Sequence, residues 1–150
     1  MAKTTDYSNI TYNDVLVPIR SLLRAQYNPN PVYIAPFHLD QADDLSIRVW
    51  SDRNEFLSIY SNTAFSRRIY VDIVQYHTIR NPKEHDYEYI YREMERTTQL
   101  MTNNHAYDAG SDSDVTSWIE GKIEEIEIEN VNNEGLVAVN FLFTCIISRQ

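Results

Sequence analysis

Between Thr11 and Tyr27 apolar residues recur at three- and four-residue spacing. Val15, Leu16, Ile19, Leu22, Leu23 and Tyr27 fall on one stripe, which predicts a helix. Thr11 with Asp14 resembles a capping box, with Asp in place of the usual Glu. Pro18 fits if the regular helix begins near Asp14, because N–H groups of a first turn lack intrahelical partners. Asn28-Pro29-Asn30-Pro31 stops the helix. The period then changes to two. Val32–Phe37 reads as a short extended segment and His38–Asp44 as a loop. Ser46–Trp50 alternates with Ile47 and Val49 on one face, and Glu55–Tyr60 alternates with Leu57 and Ile59. In Arg67–Ile79, the clearest strand of this half, Ile69, Val71 and Ile73 face one way, and Tyr70, Asp72, Val74 and Tyr76 the other.

Asn81-Pro82-Lys83-Glu84 marks a second helix start, with an Asn cap, Pro in the first turn and Glu three residues after the cap. This helix should run to about Asn103, with Tyr87, Ile90, Tyr91, Met94 and Met101 as its apolar stripe and Glu88 with Arg92 as a pair on its wet side. Residues 104–116 have loop composition. Ile123–Val131 sets Ile126 and Ile128 against Glu125, Glu127 and Glu129. After a turn at Asn132–Gly135, Leu136–Ile147 is apolar on both faces, which belongs in the middle of a sheet. These two strands should pair as an antiparallel hairpin. The expected fold is α+β: one mixed, largely antiparallel sheet with two helices packed on one face. One domain spans residues 1–150, with residues 1–10 a loose lead-in.

Charge sharpens this picture. Residues 1–80 carry eight basic and eight acidic side chains, whereas residues 81–150 carry five basic and fourteen acidic, so the second half holds the whole net charge of −9. A surface of that sign repels phosphates and argues against tight nucleic-acid binding. It suits a wall past which DNA slides, and equally suits plain solubility. The eleven Tyr suit either protein-facing surfaces or the rim of a core. Cys145 sits in an apolar run and reads as a buried strand residue. No export signal and no membrane span are expected.

Candidate chemistry is sparse. There is no GxSxG, no HExxH and no phosphate-binding glycine loop, with only three Gly in the chain. His77 and His85 lack metal-ligand spacing. His38, Asp40 and Asp44 offer ligand atoms in one loop, and Asp108, Asp112 and Asp114 in another. The second loop lacks the glycine and closing Glu of a calcium site, and both read best as solvated. Asp72, on an otherwise well-formed strand, is either a buried acid with a raised pKa or a residue of the open face near Arg68 or a neighbouring subunit. No enzyme activity, metal or cofactor is expected. If the helices cover Ile69, Val71, Ile126 and Ile128, the other face shows Tyr70, Asp72, Val74, Tyr76, Glu125, Glu127 and Glu129. That face is a candidate subunit contact or channel wall, or else an ordinary solvated sheet face.

The order of elements resembles the tail terminators of long-tailed bacteriophages and the related head–tail joining proteins. The segments that carry the resemblance are DVLVPIRSLLRAQ, SIRVW, RRIYVDIVQYH, EHDYEYIYREMERTTQLM and IEEIEIENVNNEGLVAVNFLFTCII, together spanning about residues 11–148. Pro18 within the first helix departs from the pattern. The resemblance implies a six-fold ring of this chain on the end of a tail tube, in contact with tail-tube and neck proteins, with a lumen through which DNA passes. It also implies a place in the virion and a projecting Ser51–Ser66 region. Candidate lumen or interface residues are Asp72, Glu125, Glu127 and Glu129. A neck or connector-adaptor protein of the same virion, and a small cellular binding domain or weakly recognisable enzyme, are the alternatives.

Overall fold

The computed structural model describes residues 2–5, 7, 9–36, 45–61, 64–79, 84–108, 118–131 and 135–149. The first helix opens as a wide π-helical segment, Thr11–Leu16, and continues as α1, Val17–Tyr27. Pro18 stands inside this continuous helix, just after the wide segment, and its missing N–H removes the bond that a regular α-helix would make to the Asp14 carbonyl. The expected capping box does not form. Ile10 stands at the N-cap in helical conformation without a side-chain cap. The Thr11 hydroxyl reaches Asn54 at 3.5 Å instead, and Asp14 pairs with Arg149.

Five strands follow: β1 (Val32–Ile34), β2 (Ser46–Ile59), β3 (Phe65–Thr78), β4 (Ile119–Asn130) and β5 (Leu136–Arg149), with α2 (Glu84–Asn103) between β3 and β4. They form one sheet in the order β1-β2-β3-β5-β4. The β1–β2 pair is parallel and the others are antiparallel, so the sheet is mixed. β5 lies between β3 and β4, where its two apolar faces place it. The stretches Ser46–Trp50 and Glu55–Tyr60 belong to one run of chain: β2 passes between them through an irregularity at Trp50–Arg53, which a bulge absorbs without ending the ladder. Ser51 to Ile59 therefore stays in the sheet and does not project from it. Leu57 and Ile59 are 42% and 64% exposed, since β2 runs on past Thr11 into solvent.

Both helices cover one face. Val15, Ile19 and Leu23 from the first helix and Ile90 and Met101 from α2 pack on Ile69, Val71, Ile73, Phe141, Phe143 and Ile147. Burial pushes the Cys145 thiol up to about 12, as befits a strand residue inside this core. The α2 stripe is rotated from the expected one. Tyr87 and Tyr91 are exposed, and Glu93 and Thr97 take inward positions beside Ile90 and Met101. Their polar atoms have partners: the Gln75 side-chain amide donates to the Tyr27 hydroxyl at 3.1 Å, to the Glu93 carbonyl at 3.2 Å and to the Thr97 hydroxyl. Tyr27 also donates to the Glu93 carbonyl at 3.0 Å. One polar knot thus ties α1, α2 and β3 together. Arg92, expected beside Glu88, lies 3.6 Å from Glu93.

At the far end of the core Trp118 is fully buried, stacked on Tyr107 and donating its ring N–H to the Asn104 carbonyl at 2.8 Å. Gly121 fits beneath it only because it has no side chain: a Cβ there would stand 2.8 Å from Phe143 Cζ and 3.0 Å from the Trp118 ring nitrogen. No helix among the described residues is long and apolar enough to cross a membrane.

Candidate functional site

The face opposite the helices is the candidate site. Strand register settles what stands on it. Asp72 of β3 lies opposite Trp50 of β2 on one side and Leu142 of β5 on the other, and Leu142 lies opposite Glu125 of β4. The next rows are Arg48, Val74, Asn140, Glu127 and then Ser46, Tyr76, Ala138, Glu129. Glu125, Glu127, Glu129 and Asp72 therefore share one face, as alternation predicts. All three Glu are exposed, and Asp72 is half-buried. Strand spacing sets Asp72 and Glu125 roughly 10 Å apart, across β5. The four acids form a column on the β4 edge and a single inner carboxyl, too far apart to act as a pair.

Each acid has its own surroundings. Burial, with Asp52 nearby, raises the Asp72 pKa above its ordinary value. Arg68 is not its partner, since the guanidinium lies 3.6 Å from Glu55, which also accepts from the Tyr70 hydroxyl at 3.0 Å. Arg53 sits over the Tyr70 ring at 4.2 Å. Asn140 donates to Glu129 at 3.3 Å. A small apolar cluster of Val74, Tyr76, Leu136 and Ala138, flanked by Trp50 and Val131, fills one end of the face. Within it burial pushes the Tyr76 hydroxyl up to about 12, against a smaller lowering by Arg48.

Of the charged residues on this face, Glu124 escapes alternation, and Arg48 obeys it but is buried. Glu124 joins it because β4 shifts register between Ile123 and Glu125. It accepts from Thr144 at 3.0 Å and pairs with Lys122 at 3.2 Å, and these contacts, Thr144 first, hold its pKa below the usual carboxylate range. The spacing of Ile123 and Ile126, three residues where alternation needs two, is the sequence signal for that shift. Arg48 is 3% exposed, with its guanidinium 4.3 Å from the centre of the Tyr33 ring. Nothing in the Ser46–Trp50 pattern marks it for burial.

The loop holding His38, Asp40 and Asp44 lies outside the described residues, as do Asp112 and Asp114, while Asp108 is exposed. Among the described residues no group of three or more His, Cys, Asp or Glu is placed to hold a metal ion. The open face offers charge and an apolar patch, the means of contact and repulsion.

The fold defines a class before anything more particular: a five-stranded α+β sheet with both helices on one side and an acid-edged face on the other. No protein-family model and no curated protein matches the chain. Among solved structures, a chain from the virion of a native gene transfer agent particle is similar in fold, with a TM-score of 0.54 and 9% identity. The likeness covers 94% of this chain and 99% of the other.

Proposed function

We propose that this chain is a structural virion protein that closes the end of a tail tube as a homomeric ring and joins it to the neck, leaving a lumen for DNA. The observation that carries the reading is the likeness in fold, nearly end to end in both chains, to a component of a gene transfer agent virion. The open face supports the rest. It has the sign that lets a duplex pass without adhering, and it lies opposite the helices, so a ring with helices outward turns it inward. Asp72, Glu125, Glu127 and Glu129 are the proposed lumen residues. In this reading the protein holds no cofactor and performs no catalysis, and its partners are its own copies, the tube protein and the neck.

Electron micrographs of the purified chain mixed with tail tubes test the proposal. The expected image is a ring at one end of each tube, with tube growth halted. Rings that bind the head connector and leave tube ends bare would make the chain a neck adaptor. Protein that binds neither would remove it from the virion.

A further inference from the structure

The sheet has two uncovered edges, and they are unlike. β1 pairs only with Ile47–Val49, so among the described residues no strand borders β2 from Trp50 to Ile59. β4, at the other end of the sheet, has β5 on one side and no described strand on the other. Uncovered edges carry unpaired backbone groups and template the addition of another strand.

Direction makes the two edges compatible. β3 runs opposite to β2, β5 opposite to β3, and β4 opposite to β5. β4 therefore runs opposite to β2. Rotating a second copy about an axis along the strands brings its β4 beside the first copy's β2 in the antiparallel sense, with neither copy inverted. The same rotation keeps both helical layers on one side and both acid faces on the other.

Chemistry favours that match over the alternatives. β4 carries five Glu and one Lys between Ile119 and Asn130, and two β4 strands set side by side would oppose like charges along their length. The bare half of β2 is nearly neutral, with Asp52 and Glu55 against Arg53, and presents Phe56, Leu57 and Ile59, all exposed. β4 answers with Ile119 and Ile128, 49% and 37% exposed, among its acids. We infer that copies of this chain join head to tail, the uncovered half of β2 in one copy lying antiparallel against β4 of the next. A contact between two different patches propagates and closes into a ring when the rotation permits. This inference rests on the ring reading above and names the surface that builds the ring. The register shifts in both strands leave Arg53–Phe56 and Glu125–Asn130 as their regular stretches, where a ladder between copies would form.

Two single variants test it. Ile128→Lys disables the β4 edge and Leu57→Lys the β2 edge. Both sites are exposed in the free subunit, so circular dichroism melting curves should match wild type. Ile119→Lys and Ile59→Lys provide a second pair if either first variant fails to fold. Sedimentation should show wild type as a ring and each variant alone as a monomer. An equimolar mixture of the two variants should give a dimer and nothing larger, because one intact β2 edge meets one intact β4 edge. A variant that still forms the full ring, or a mixture that stays monomeric, overturns the edge contact while leaving the ring reading intact. A wild-type chain that remains monomeric both alone and on tail tubes overturns the ring reading and this inference with it.

Discussion

Asp72 and Phe141 occupy opposite faces of the sheet and respond to change in opposite ways. Asp72 is held half-buried with a raised pKa, so the folded subunit binds its proton more tightly than the unfolded chain does. The associated stability is fully present below the ordinary value of 3.8 and is lost as pH rises through the raised one. Asp72→Asn should therefore melt above wild type at neutral pH, with the gap closing as the pH falls toward 3.8. Urea unfolding of the two proteins across that range measures the difference, and a gap that widens in acid would contradict the burial argument. Phe141 is 1% exposed in the centre of the core. Phe141→Ala should cost about 3–5 kcal/mol in chemical denaturation. A loss under about 1 kcal/mol would mean that its surroundings collapse around the missing ring.

At the scale of elements, the knot around Gln75 and the gap at Gly121 decide how the layers sit. Tyr27→Phe removes a hydroxyl shared by Gln75, Thr97 and the Glu93 carbonyl. The expected loss is about 1–3 kcal/mol, because buried partners are left unsatisfied. Gly121→Ala forces a methyl against Phe143 and Trp118 and should cost about 1–3 kcal/mol, read as a lower melting temperature with weakened near-ultraviolet dichroism from Trp118. These elements also show what the sequence can and cannot say. β3 and β5 were legible because strict alternation over a dozen residues has a single periodic reading, and the shared face of Asp72, Glu125, Glu127 and Glu129 follows from it. α2 was legible in extent but not in rotation. Two of its inward positions are polar: Glu93, whose carboxylate is met by Arg92 and Arg96 of the same helix, and Thr97, whose hydroxyl meets Tyr27 and Gln75, so a stripe drawn through apolar residues alone lands on Tyr87 and Tyr91. Bulges defeat strict alternation too: the inserted residue in β2 is set by the neighbouring strand, whereas the shift that turns Glu124 outward leaves its mark in the three-residue step from Ile123 to Ile126.

For the molecule as a whole, charge is the property with a direct readout. Reversing Glu125, Glu127 and Glu129 to Lys changes three residues by two charges each and takes the net charge from −9 to −3. All three side chains point into solvent, so the fold should persist. In a six-fold ring that still closes with the reversed β4, which sedimentation checks first, each position becomes six lysines, and the assembly should then retain DNA, with affinity falling steeply as salt rises. Filter binding at several salt concentrations, and the infectivity of particles carrying the triple variant, measure this. Particles that assemble and eject DNA normally would remove these acids from the lumen. The strand order carries a further consequence, for the moment of synthesis. β5 is last of the strands in the chain, yet it lies between β3 and β4. Until it emerges from the ribosome, β4 has no neighbour to pair with, and the inner edge of β3 stays bare. The acid face does not exist in a partly made chain. A chain still in synthesis can pair β2 with β3, but the face that carries Glu125, Glu127 and Glu129 beside Asp72 is complete only once translation has passed Arg149.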